Sequence, residues 1–238
     1  MIDLKNIKPR NLWYIIGYLA TDGHLSRDGR HLNITSKDKR HLIEIKKALG
    51  LGVKISKKGR GGSSEKIYSQ IQFGDVKFYR YLLSIGFVQK KSLNLGKINV
   101  DGRYFTDFLR GVIDGDGNIS TWIHRTNLHR QWSLRIVSAA PSFIKWLKQE
   151  IENHFNVSGR LYGYKCKNKK NPLYTLKFGK LAAKIILNQV YNNGNYLSLY
   201  RKSAKSGKCL QDKNRMINYK NVIGPGAGIG RQSTLKMS

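Results

Sequence analysis

The sequence predicts an α+β protein made of two tandem copies of one αββαββα unit. Three observations lead there. Two apolar segments end alike in Asp-Gly, IIGYLATDG at 15–23 and LRGVIDGDG at 109–117. Short motifs follow each of them in the same order. The hydrophobic patterning between those motifs alternates in the same way between helical and strand-like periods. Asp22 and Asp116 lie 94 residues apart, LNIT (32–35) matches LRIV (134–137) at 102, QFG (72–74) matches KFG (177–179) at 105, and KKS (90–92) matches RKS (201–203) at 111. The order holds while the offset grows, as longer loops in the second copy would produce. The repeats are therefore set at 1–100 and 101–203, with a basic extension at 204–238.

Each copy opens with a helix, at 11–21 and 105–115, whose apolar run stops at the Gly after the Asp. Hairpins follow at 24–35 and 118–137, with polar turns at RDGR (27–30) and RTNLHR (125–130). Residues 38–49 and 142–154 place apolar residues at helical spacing with basic residues between them. Strand pairs are predicted at 53–73 and 157–178, the first interrupted by a flexible KKGRGGSSE, and closing helices at 75–85 and 180–191. Within the strands, His31, Asn33, Thr35 and Lys37 share a face opposite Leu32 and Ile34. Tyr68, Gln70 and Gln72 share a face opposite Ile67, Ser69 and Ile71. Long polar side chains along one sheet face suit base edges in a groove, Asn and Gln pairing with adenine and Arg and Lys with guanine.

The charge balance names the class of partner. Lys and Arg number 44 against 14 Asp and Glu, a formal net charge of +30 on 238 residues. So large an excess on a folded chain calls for a polyanion, nucleic acid before an anionic membrane, and argues against a small-molecule enzyme working alone. The two cysteines, Cys166 and Cys209, form no C-x-x-C pair, which suits a reducing compartment. The N-terminal segment lacks the order of a signal peptide, and no apolar stretch reaches the roughly 18 residues of a membrane span. A soluble, intracellular protein with no membrane partner is expected.

Acids are scarce, so their positions carry information. Asp22 and Asp116 each end an apolar helix, where the negative end of the dipole disfavours a carboxylate by a few tenths of a kcal/mol to about 1 kcal/mol. A divalent cation would reverse that sign. DGDGNIS (114–120) is not a calcium loop, because Ile119 stands where Gly is required and Arg125 where the bidentate Glu belongs. The six histidines show no zinc-type spacing with either cysteine.

The paired segments IIGYLATDG and LRGVIDGDG resemble the two signature helices of the LAGLIDADG homing endonucleases in their single-chain, two-repeat form, over nearly the whole chain to about residue 203. The resemblance implies saddle-shaped antiparallel sheets along the DNA major groove, with the signature helices packed together where Gly17 and Gly111 match their small positions. It implies that Asp22 and Asp116 bind Mg²⁺, with Mn²⁺ substituting and Ca²⁺ binding without supporting cleavage, and that the backbone carbonyls of Thr21 and Gly115 join them as ligands. Asn33 and Arg135 fall on the strand position that orients water. Lys37 falls on a basic position whose second-half counterpart is Ala139, and Lys91 and Lys202 are the further basic candidates near the scissile phosphates. DNA contacts are assigned in the first half to His24, Ser26, Arg30, His31, Asn33, Thr35, Lys37, Tyr68, Gln70 and Gln72. In the second they are assigned to Asn118, Ser120, Arg125, Arg130, Arg135, Tyr162, Tyr164, Lys165 and Lys177. The sequence departs from the family pattern at Ala20, which faces Asp114 in the second motif, and at Tyr18 and Arg110.

The activity implied is a Mg²⁺-dependent, staggered double-strand break at a long, non-palindromic DNA site, made by a monomer because one chain holds both halves. The alternatives are an RNA-splicing maturase with intron RNA as partner, or a DNA-binding protein that does not cut. A basic structural RNA protein explains the charge but not the paired Asp-Gly helices. The tail carries seven Lys or Arg against Asp212, and its GPGAGIG (224–230) lacks the Lys-Ser/Thr of a phosphate loop. It reads as a flexible arm adding phosphate contacts.

Overall fold

The computed structural model describes residues 2–60, 63–165, 171–192, 194 and 196–212. Cys166, GPGAGIG and the basic tail beyond Asp212 lie outside them. Helix α1 (Pro9–Asp22) opens on a proline, whose fixed φ suits a first helical turn, and stops at Gly23 in extended backbone. Strands β1 (Gly23–Leu25) and β2 (His31–Ser36) follow, then α2 (Lys39–Ala48), capped by the Asp38 carboxylate on the His41 N–H. Next come β3 (Ile55–Arg60), β4 (Ser63–Gly74) and α3 (Val76–Ser84), capped in turn by Asp75. The four-residue α4 (Lys91–Asn94) closes the first half.

The second half repeats the plan. It runs through α5 (Phe105–Asp116), β5 (Gly117–Ile123), β6 (Arg130–Ser138), α6 (Pro141–Phe155), β7 (Arg160–Tyr164), β8 (Leu173–Phe178), α7 (Lys180–Tyr191) and α8 (Tyr200–Gln211). The strands form two antiparallel four-stranded sheets of matching order, β1-β2-β4-β3 and β5-β6-β8-β7. This is the mixed α+β architecture of two equivalent halves that the repeat predicts.

Alternation along each strand sends one face inward. Leu32, Ile34, Ile71 and Phe73 of the first sheet are buried, as are Leu134, Ile136, Leu176 and Phe178 of the second, and α2, α3, α6 and α7 cover them. The outer faces are left to polar side chains.

Helices α1 and α5 pack at the centre. They approach so closely that a β-carbon on Gly17 would stand 2.0 Å from the Phe108 carbonyl oxygen, and one on Gly111 2.0 Å from that of Tyr14. No side chain fits in either place.

Two features differ from the sequence expectation. Within KKGRGGSSE, β3 continues to Arg60 and β4 begins at Ser63, with a register shift between Lys58 and Arg60; Gly61 and Gly62 lie outside the described residues. Residues 204–211 are not a loose arm. They complete α8, which runs across the position where the second repeat was ended. Its buried Ser206 and Cys209, and the Asp212 carboxylate accepting from the Trp132 indole at 2.6 Å, hold it to the second half.

Candidate nucleic-acid interface and paired-acid site

Asp22 and Asp116 are the last residues of α1 and α5, so the close packing of those helices brings the two carboxyls together at one end of the pair. Both side chains are open to water, yet the protein around them removes enough solvent to raise both pKa values. Asp116 is pushed up to about 6, by desolvation first and by the charge of Asp22 second. Among the described residues neither acid makes an ion pair within 4.0 Å. Two exposed acids that repel each other, without a paired cation, form a donor set suited to a hard divalent ion.

Two buried lysines underlie them. Lys91 donates to the carbonyls of Ala20 (2.9 Å) and Thr21 (2.6 Å), and Lys202 to those of Ile113 (2.6 Å), Asp114 (2.7 Å) and Gly115 (3.0 Å). Each ammonium therefore caps the C-terminus of a signature helix, where the dipole favours a cation. Burial lowers both lysines to about 8. The Thr21 and Gly115 carbonyls, assigned by resemblance to a metal, each accept from a lysine and keep a second lone pair.

The sheets flank this point. His24, Asn33 and Gln72 stand in one cross-strand row of the first outer face, Thr35 and Gln70 in the next, and Lys37 lies over the Tyr68 ring at 5.5 Å. Asn33 donates to Gln70 at 3.1 Å and Thr35 to Asn33 at 3.0 Å, so these amides are held in place. Ser26 and Arg30 lie in the first hairpin, where the His31 ring pairs with Asp28. The Ile67 side chain lies outside those described.

On the second sheet Asn118, Arg135, Lys177 and Arg160 form one row. Ser120 is two residues along β5, and Tyr162 and Tyr164 are exposed on β7. Arg125, Arg130 and Lys165 are exposed at strand ends and turns. The Arg135 Nε is buried without a hydrogen-bond partner among the described residues.

Several side chains at or near the acid pair and the sheet faces had little or no signal in the sequence. Trp122 is 40% exposed in register with the outward Asn118 and Ser120, and Lys177 sits over its ring at 5.8 Å. Tyr18 is buried beside Asp22, and burial first, then the Asp22 charge, raises its hydroxyl above the usual tyrosine range. Arg110, with no exposed surface, donates to the carbonyls of Leu197 (2.9 Å) and Val190 (3.1 Å) and to the Asp107 carboxylate (2.5 Å), which Arg10 also engages at 3.2 Å. Arg201 projects from the start of α8 toward Asp22; only its place in the RKS match pointed to it.

With the fold and the acid pair in view, the comparisons with known proteins take their place. Residues 10–89 match a LAGLIDADG-like domain. The match falls on the first of the two halves, and the second half repeats its fold. No curated protein matches its sequence. Among solved structures it is similar to the homing endonuclease I-WcaI bound to its DNA recognition sequence, at 14% identity and a TM-score of 0.56 over 84% of this chain and 87% of that one. It is also similar to I-DmoI in complex with DNA and Ca, at 14% identity and a TM-score of 0.55 over 83% of this chain and 97% of that one. A third similar structure is full-length DUF199/WhiA from Thermatoga maritima, at 13% identity and a TM-score of 0.53 over 90% of this chain. The chain spans 66% of that protein's length. These identities establish a shared fold. No helix among the described residues is long and apolar enough to cross a membrane.

Proposed function

We propose that the chain is a site-specific DNA endonuclease that cuts both strands of a long, non-palindromic duplex. The observation that carries this reading is the pair of exposed, mutually repelling acids at adjacent helix ends, with a polar sheet face on either side. A fold built only to bind DNA gains nothing from two carboxylates aimed at phosphates. Of the solved neighbours, I-DmoI was crystallised with DNA and Ca and I-WcaI on its recognition sequence.

Asp22 and Asp116 would hold the metal, Mg²⁺ by preference with Mn²⁺ able to replace it, and the Thr21 and Gly115 carbonyls are its candidate backbone ligands. When bound, the ion supplies a more acidic water and neutralises charge on the leaving oxygen. The chain's own groups do the rest. Asn33 and Arg135 orient water at the strand position facing each acid. Lys37, in the first half, neutralises charge gathering on the phosphoryl oxygens. In each strand the water oxygen bonds to phosphorus as the bond from phosphorus to a sugar oxygen breaks. The water's proton leaves to solvent and the sugar oxygen takes one up.

A second reading is binding without cleavage, to duplex DNA or to intron RNA as in a maturase. It is favoured by one observation: the carbonyls of Thr21 and Gly115 already serve the two lysines. A Mg²⁺-dependent cleavage selection on a randomised duplex library, with the Asp22→Asn and Asp116→Asn proteins as controls, separates these. Cut fragments sharing one long site, absent with either control, establish the nuclease. Retention of a duplex without cutting, or of structured RNA instead, rejects it for the corresponding binder.

A further inference from the structure

The two acids open into different grooves, and each groove is completed by the terminal helix of the other half. The groove at Asp22 encloses about 750 Å³ and is walled by Thr35, Lys37, Lys58 and Tyr68 of the first sheet, with Arg201 arriving from α8 of the second half. The groove at Asp116 encloses about 310 Å³ and is walled by Val137, Ala139 and Leu173 of the second sheet, with Lys91 arriving from α4 of the first half. In the repeat alignment Thr35 corresponds to Val137 and Lys37 to Ala139. Among the residues lining these grooves, the first therefore offers Lys37, Lys58 and Arg201, and the second offers Lys91, whose ammonium donates to the helix carbonyls of Ala20 and Thr21.

This difference bears on phosphate binding. A phosphodiester approaching Asp22 meets a wide, wet groove with exposed cations on three sides. Arg201 suits it best: a guanidinium presents two parallel N–H groups to a phosphate, and among the described residues its charge is not spent in an ion pair within 4.0 Å. A phosphodiester entering the groove that holds Asp116 meets Val137, Ala139 and Leu173 beside the hydroxyls of Ser92 and Ser138, with the Lys91 ammonium donating to helix carbonyls. The adjoining groove beside Gly115 and Gly117, lined by Arg201, Lys202 and Lys205, does not include Asp116.

Building on the nuclease reading, we propose that Arg201 is a phosphate-binding catalytic residue contributed by the second half to the first-half groove, and that it makes the two strands unequal. The strand held at Asp22 is cut first and a nicked duplex is the intermediate. Lys90, which holds the position of Arg201 in the repeat alignment, is exposed and supplies no equivalent at Asp116.

The test uses the full chain and a duplex recovered from the randomised library, with a different fluorophore on each strand. Wild-type protein is expected to accumulate a nick in one strand only. Arg201→Ala should slow that cut about ten- to a hundredfold and change the other less than about threefold, with Arg201→Lys between them. Lys90→Ala should leave both strands alone. Equal cutting of the two strands by wild type, or equal slowing of both by Arg201→Ala, overturns the proposal.

Phosphate ethylation interference on the same duplex separates this result from failure of the nuclease reading. If wild type binds and cuts nothing, that reading fails. The Arg201 contact still stands if one phosphate on one strand loses its interference in Arg201→Ala, and falls if the pattern is unchanged.

Discussion

The two halves are alike where they meet and unlike where they face outward. At the junction three features come in pairs: Gly17 and Gly111 at the helix crossing, Asp22 and Asp116 at the helix ends, Lys91 and Lys202 beneath them. Away from it the halves diverge. The first sheet presents Gln72 beside Asn33, Thr35 and Gln70, the last three hydrogen-bonded among themselves, whereas the second presents Arg135 and Lys177 beside Trp122, Val137 and Leu173. Backbone contact imposes the symmetry, because neither helix can move without the other. The outer faces touch only solvent or a ligand and were free to separate. A duplicated fold that keeps its seam and changes its surfaces is suited to reading two different half-sites.

The symmetry of the seam can be broken directly, and this should give the largest effect. Gly17→Ala and Gly111→Ala each place a β-carbon against a backbone carbonyl oxygen that has no room to yield. Each should cost several kcal/mol, about 3 or more, and the two should be similar. Urea unfolding of both variants measures this. A loss at one glycine and none at the other would show that the crossing is not shared equally.

The asymmetry within the seam should come next. Asp114 is buried in the second half, accepting from Tyr14 (2.8 Å), from Tyr191 (2.5 Å) and from the Leu199 N–H (2.6 Å), while its counterpart Ala20 has no side chain to accept anything. Asp114 thus ties α1, α7 and the approach to α8 together. Asp114→Ala leaves three buried donors without an acceptor and should cost about 2–4 kcal/mol. Because Leu199 precedes Tyr200 and Arg201, α8 should also loosen, which faster hydrogen exchange over 200–211 would report. Unchanged exchange there would detach Asp114 from α8.

Tyr14 passes this network on to the first half and makes it sensitive to pH. Its hydrogen goes to Asp114, so His41, whose Nε2 lies 3.0 Å from the Tyr14 oxygen, must donate to it. The His41 Nδ1 is left buried without a partner among the described residues. Protonation would turn that atom into an unpaired buried donor, and burial accordingly drives the His41 pKa from 6.5 down to about 4. The folded pKa lies below the unfolded one. Stability from His41 is therefore complete above about 6.5, falls as the pH falls, and is gone below about 4. The loss should be about 2 kcal/mol, since a pKa unit is worth about 1.4 kcal/mol and the cluster can relax. Asp116, raised to about 6, acts in the opposite sense over an overlapping range and recovers part of it. The stability difference between wild type and His41→Gln should narrow from pH 6.5 to 4; a constant difference would place the acid sensitivity elsewhere.

Much of this organisation could be read from the chain before its coordinates. The repeat, the order of elements and the outward alternation of His31, Asn33 and Thr35 all follow from local periodicity, a property of neighbours in sequence. The acids at the helix ends were legible for the same reason, each being followed by the Gly that stops its helix. What escaped depends on distance in the chain. Lys91 and Lys202 reach back 70 and 87 residues to the Thr21 and Gly115 carbonyls, and no local pattern separates a lysine bound for a helix end from one bound for phosphate. Arg110 reads as an intrusion into an apolar motif, yet it closes a contact with carbonyls 80 and 87 residues away. α8 was missed because YRKSAKSGKCLQ is polar over most of its length, and only the burial of Lys202, Ser206 and Cys209 against the second half reveals its inner face.

The smallest effect should come from the outer faces, where the halves are most different. Trp122 has no aromatic counterpart on β1, and its ring stands among the outward side chains under the Lys177 ammonium. Removing it exposes no core, since 40% of it is already in water, so stability should change by less than about 0.5 kcal/mol. Against DNA the ring can lie on a thymine methyl or a sugar, and it fixes the lysine beside it. Trp122→Ala should weaken binding of the selected duplex about three- to tenfold and relax preference only in the half-site under the second sheet. Gln70→Ala, which removes a hydrogen-bonding amide from the first sheet, should relax the other half-site instead. Binding both variants to duplexes with substitutions scanned across the site resolves the two. If they relax the same positions, the sheets do not read separate half-sites, and the divergence of their outer faces needs another cause.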